Sequence, residues 1–116
     1  MRLRQPTALL DDATTRFAAD IQSTAGGAVR VVVAGDVDSL TRERLEHALD
    51  AAWRLAPTSL SVDLTEVTFL DVSSLAVLFR ARNQAIARGA GFEVLGLSGP
   101  VARFLVAMDL HLDWTP

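Results

Sequence analysis

Residues 59–89 read SLSVDLTEVTFLDVSSLAVLFRARNQAIARG, and the change of rhythm inside this stretch decides the fold. Leu60, Val62 and Leu64 alternate with Ser61 and Asp63. That is the period-two pattern of a strand with one buried face. A short connection, Thr65–Leu70, is expected to lead to Asp71-Val72-Ser73-Ser74. Beyond it, Leu75, Leu78, Phe79 and Ile86 recur at helical spacing, with Ala81 and Ala85 filling the same side. Asp71, Ser73 and Ser74 can accept hydrogen bonds from the unpaired N–H groups of a helix's first turn. The segment therefore predicts strand, tight loop and helix, with small oxygen-bearing side chains gathered at the helix N-terminus. Any functional site is expected there.

Upstream, residues 1–15 lack steady periodicity and contain Pro6, which predicts a flexible N-terminal arm ahead of a single domain, residues 16–116. Phe17, Ala19 and Ile21 alternate with Ala18, Asp20 and Gln22 as a first strand. Gly26-Gly27 supply the positive φ of a turn. The near-continuous apolar run Val29–Ala34 is rich in β-branched residues, the mark of a central strand, and Gly35-Asp36-Val37-Asp38 follows as a polar loop. Leu40–Ala56 predicts a first helix with Leu45, Ala48, Leu49, Ala52 and Ala56 on its apolar side, Ser39 or Thr41 as its cap and Pro57 as its stop. Downstream, Gly89–Gly91 end the second helix and Phe92–Leu97 form the last strand. Ser98-Gly99-Pro100 start a third helix with Val101, Phe104, Leu105 and Met108 as its stripe. The tail, Leu110–Pro116 with Leu112 and Trp114, is expected to fold back onto the body.

The order β-β-α-β-α-β-α requires parallel neighbours wherever a helix intervenes and an antiparallel pair at the first turn. The expected class is α/β: a small mixed, mostly parallel four-stranded sheet in sequential order, with helices largely on one face.

Composition narrows the function. Half of the 116 residues are apolar, so a packed core is expected, and the net charge of −3 has no run of like sign that would favour nucleic acid or an anionic membrane. No stretch reaches the roughly 18 apolar residues of a membrane span. The apolar run near the N-terminus stops at Asp11-Asp12, a poor signal peptide, so a cytoplasmic location is the expectation. Without cysteine there are no disulfides, thiol nucleophiles or thiolate metal sites. All 11 basic residues are arginine.

Candidate chemistry is sparse. A hydrolase triad from Asp71, Ser73 and His111 lacks the glycine elbow that exposes a nucleophilic serine. His47 sits mid-helix, and two distant histidines give no metal-ligand spacing. No cofactor or metal is expected. Asp71 fits an N-cap, which accounts for the residue type without a further role. The helix side away from the core offers Ser73, Ala76, Arg80, Asn83 and Ala87. Small residues punctuated by arginine suit plain solvent, and equally the close approach of another protein.

Val62-Asp63-Leu64-Thr65-Glu66-Val67-Thr68-Phe69-Leu70-Asp71-Val72-Ser73-Ser74-Leu75 resembles the core of STAS domains, the anti-sigma-factor antagonists of bacteria and their relatives in transporters. Gly35-Asp36-Val37-Asp38 is similar to that family's GELD loop, Arg88-Gly89-Ala90-Gly91 to its RGG turn, and Gly99-Pro100-Val101 to its third-helix start. The resemblance spans roughly residues 17–113. It implies a non-enzymatic binding module whose partner is an anti-sigma factor of histidine-kinase-like fold. The partner surface it implies is Asp36, Asp38, Asp71, Val72, Ser73, Ser74, Ala76 and Arg80. In the family a Ser or Thr directly after the aspartate is phosphorylated; here Val72 stands there, Ser73 matches the next serine, and Ser74 replaces a usual glycine. Either Ser73 has taken on the phosphorylation, or the protein binds without phosphoregulation, or it puts the same fold to another use. The alternative is an accessory subunit of a membrane lipid-transport complex, bound to its ATPase or permease. A small serine hydrolase stands as the control. Neither nucleic-acid binding nor direct membrane insertion is expected.

Overall fold

A computed structural model of the chain describes residues 17–108; the arm at residues 1–15 and the tail holding His111, Leu112 and Trp114 lie outside the described residues. The elements are β1 (Phe17–Ser23), a 3-10 turn (Ala25–Gly27), β2 (Ala28–Val37), α1 (Arg42–Trp53), β3 (Ser59–Leu70), α2 (Val72–Arg88), β4 (Gly91–Leu97) and α3 (Gly99–Ala107). They follow the expected order. The sheet runs β1-β2-β3-β4. Its first pair is antiparallel and the other two are parallel. Gly26 and Gly27 turn β1 into β2 at φ 72° and 80°, backbone that side chains disfavour.

One cluster forms the core. Val29, Val31 and Val33 of β2 and Leu60, Val62 and Leu64 of β3 meet Leu45, Leu49 and Trp53 of α1 and Leu75, Leu78, Ala81 and Ala85 of α2. Val101 and Leu105 of α3 join it. Both crossovers step the same way along the sheet, so the right-handed rule puts α1 and α2 on one face.

The structure corrects five expectations. Thr65–Leu70 is a continuation of β3, and Gly35–Val37 belongs to β2. The pairing explains the concealment: Val32 opposes Asp63 but Ala34 opposes Glu66, and Gly35 opposes Val67 but Asp36 opposes Phe69. At each skip β3 uses one residue more than β2, a bulge that breaks the alternation. The buried positions then become Leu64, Val67 and Leu70, spaced by three.

Third, α1 begins at Arg42, because Asp38 organises the approach. Its carboxylate accepts from the N–H groups of Leu40 (2.9 Å) and Thr41 (3.2 Å). The Thr41 hydroxyl accepts from the Asp38 N–H at 3.0 Å and donates to the Asp36 carbonyl at 2.7 Å. Thr41 holds the N-cap position, yet its side chain bonds backwards rather than into the helix. Fourth, Ala56 lies beyond the helix, exposed at φ 50°, since the residue before a proline avoids helical backbone. Trp53 fills the last buried position, with the Arg88 guanidinium 4.8 Å above its ring. Fifth, Phe79, Ile86 and Met108 are exposed at 37%, 63% and 45% rather than buried in the core.

The strand irregularity also makes a test. A Cβ on Gly96 would overlap Thr65 Oγ1. Gly96→Ala should cost about 1–3 kcal/mol by overpacking. Thr65→Ala should relieve most of that loss, as urea midpoints of the single and double variants will show. Equal losses in both backgrounds would place the strain elsewhere.

Candidate partner-binding surface

The carboxyl ends of β2 and β3 lie together, and both helix starts rise from them. The Asp71 N–H donates to the Val37 carbonyl at 3.2 Å, tying the start of α2 to the end of β2. Thr68 Oγ1 donates to Asp36 Oδ1, joining the two strand ends through their side chains.

Asp71 caps α2 as expected: its carboxylate accepts from the Ser74 N–H at 2.8 Å. The Ser73 hydroxyl lies 3.5 Å from the same carboxylate, and Arg42 Nη1 of α1 donates to it at 3.0 Å. Partial burial is the largest single influence on the Asp71 pKa and raises it. The Ser74 hydroxyl and N–H, the Arg42 charge and the Ser73 hydroxyl together outweigh it, and the carboxylate stays below its ordinary range. Ser74 Oγ is fully buried without an aligned partner. Its effect is thus that of a nearby dipole, and the amide bond is the firmer of the two.

The structure gathers Asp36, Asp38, Asp71, Val72 and Ser73 at this end, with Ala76 exposed one turn further along α2. Arg80 lies beyond, held to Glu46 of α1 at 2.7 Å. Ser74 does not belong with them: at 0% exposure its side chain is part of the core and offers nothing to a partner. Asp38 is largely committed to the start of α1. Sequence reasoning missed Arg42, Thr68 and two exposed apolar side chains, Leu40 (80%) and Phe69 (49%), which with Val72 (54%) bring apolar surface to the acidic cluster. The signal for Phe69 was present but required the bulges; Arg42 pairs across 31 positions and leaves no local mark.

Ser73 Oγ meets a guanidinium and a carboxylate, and arginine cannot serve as a general base. His111 lies outside the described residues. His47 lines a separate groove of about 320 Å³ between α1 and α2, shared with Glu43, Glu46, Asp50, Arg80 and Gln84. Among the described residues no group of side chains could hold a metal ion, and no helix is long and apolar enough to cross a membrane.

Comparison with known proteins follows the same line. The family model described as "Mlab, STAS domain" matches residues 22–112. Among solved structures, an anti-sigma factor antagonist from Mycobacterium paratuberculosis is similar at 24% identity and TM-score 0.64, over 80% of this chain and 78% of that one. Unphosphorylated SpoIIAA, an anti-sigma factor antagonist, is similar at 17% identity and TM-score 0.68, over 84% of each chain. A STAS-domain antisigma-factor antagonist from Rhodobacter sphaeroides is similar at 22% identity and TM-score 0.60, over 69% of this chain and 86% of that one. At these identities the likeness is one of fold. A search of curated proteins found no match.

Proposed function

Since the chain belongs to the STAS domain family, we propose that it is a non-enzymatic, cytoplasmic protein-binding module acting as an anti-sigma-factor antagonist in the control of transcription. The observation that carries this reading is the surface at the start of α2. There Leu40, Phe69 and Val72 are exposed beside Asp36, Asp71 and Ser73. Exposed apolar side chains clustered with charges mark interaction sites. The partner proposed is an anti-sigma factor of histidine-kinase-like fold.

Capture of partners from native cell extract tests it. Wild-type protein should retain a kinase-like anti-sigma factor. Arg80→Glu should weaken capture while changing stability by less than about 0.5 kcal/mol, since the Arg80–Glu46 pair is solvent-exposed. Undiminished capture by this variant would remove Arg80 from the interface.

A second reading, an accessory subunit of a membrane transport complex, is favoured by Val72, which carries no hydroxyl where the antagonists are modified. Recovery of an ATPase or permease would support it. With Ser74 buried, Ser73 is the accessible hydroxyl in this turn. It lies one helical residue further on, rotated by about 100°. The native protein is expected to carry no phosphate there, and Val72→Ser to accept one from a cognate kinase. Stoichiometric phosphate on native Ser73 in a mass spectrum would show the switch displaced rather than lost.

A further inference from the structure

The groove between α1 and α2 carries a row of like charges along one wall. Glu43, Glu46 and Asp50 line it from α1, and at about 100° per residue their positions fall within about 60° of one another. Carboxylates three and four residues apart oppose one another, and Asp50 stands in the last turn of α1, where an anion also opposes the helix dipole. The arginines of α1 turn elsewhere: Arg42 donates to Ser73 at 3.0 Å, and Arg44 lies 5.2 Å over the Phe17 ring. Arg80 of α2 neutralises the middle of the row through its 2.7 Å bond to Glu46. Glu43 and Asp50, on either side of it, are exposed and have no side-chain partner among the described residues.

We propose that this groove receives two Arg or Lys side chains, about 10 Å apart, from a helical segment of another protein. Arg80 already shows the pairing, a guanidinium laid on the middle carboxylate, and the two flanking carboxylates are left to an incoming chain. Beneath them the floor is Leu49, Val77 and Ala81, all buried and apolar. An apolar floor with carboxylates at its lip suits a long aliphatic stem that ends in a cation. The groove holds about 320 Å³, less than one turn of a helix about 10 Å across, so it takes in side chains while their backbone lies above. Glu43 and Asp50 are seven residues apart, about 10 Å along α1, and a partner helix repeats that distance at the same spacing. Glu43 follows Arg42, which reaches Ser73, so the groove begins where the surface at the start of α2 ends. A basic segment also meets no repulsion from Asp36 and Asp71 there. The proposal rests on the chain being a protein-binding module, and it specifies the chemistry of the partner.

Two capped, alanine-based helical peptides test this. One carries two arginines seven residues apart with leucines between them on the same side; the other carries citrulline, the uncharged isostere, in place of each arginine. Titrated with the full chain, the citrulline peptide should bind at least about tenfold more weakly than the arginine peptide. Glu43→Gln combined with Asp50→Asn should weaken the arginine peptide by at least about tenfold, with the urea midpoint unchanged or raised because the row loses its repulsion. Asp63→Asn combined with Glu93→Gln makes the same change of net charge on the sheet face turned away from the helices, and should leave affinity within about twofold. Both double variants keep the Arg80–Glu46 bridge, which ties the two walls of the groove. Equal binding of both peptides, binding of neither, or an equal loss in the two double variants would overturn the proposal. So would a wild-type dimer in sedimentation that the groove variant dissociates, since the occupant would then be a second copy. Capture of a native anti-sigma factor without peptide binding would overturn the groove alone. Peptide binding by wild type and by Asp71→Asn alike, with no such capture by wild type, would overturn the anti-sigma-factor reading alone.

Discussion

Leu78→Ala should destabilise the protein by about 2–5 kcal/mol, a large fraction of the stability of a domain this size. Leu78 is 0% exposed on the inner side of α2, within the cluster that joins the helix to β3 and β4. Truncation removes its burial and leaves a cavity that a close-packed interior fills only in part. Ile86→Ala, on the same helix, should move the urea midpoint little, because Ile86 is 63% exposed. The pair is a sharper test than either alone. A large loss at Ile86 with none at Leu78 would mean that α2 is rotated by a third of a turn or more from the orientation described.

That contrast also shows where sequence reading reaches its limit. The order of elements was legible because strands and helices impose different periods, and both periods are clean at Leu60–Leu64 and at Leu75–Leu78. Phe79 and Ile86 fit the same helical spacing yet lie outside. Spacing alone does not fix where an apolar stripe ends, and the neighbours that bury one side are not local. Thr65–Leu70 was hidden for a different reason. Two bulges put Val67 and Leu70 inward at intervals of three, which resembles neither a strand nor a loop of defined type. The site was half legible. Asp71 and Ser73 stand out by residue type at a helix start, and Ser74 does so equally, though the first turn of α2 swings it into the core. Arg42, which donates to Ser73, belongs to another helix, and only the fold brings it near.

Asp71→Ala should cost the fold about 0.5–2 kcal/mol and also abolish capture of the partner, whereas Asp71→Asn should cost little stability and still lose most capture. The carboxylate does two things here. It accepts the Ser74 N–H at the start of α2, which a neutral amide oxygen can do as well. It also places a negative charge between Arg42 and the exposed Val72 and Ser73, which the amide cannot do. The stability component carries a pH signature. Asp71 titrates below its ordinary range in the folded protein. A carboxylate whose folded pKa lies below its unfolded one stabilises the fold at every pH above the unfolded value, about 3.9, and that contribution fades as pH falls through the folded value. Wild type and Asp71→Asn should therefore differ by a constant amount from neutral pH down to about 5 and converge below about 4. Urea melts of both proteins across that range check the sign. A difference that grows on acidification would show that the folded state prefers the protonated acid. The anion that caps α2 would then not be the form presented to the partner.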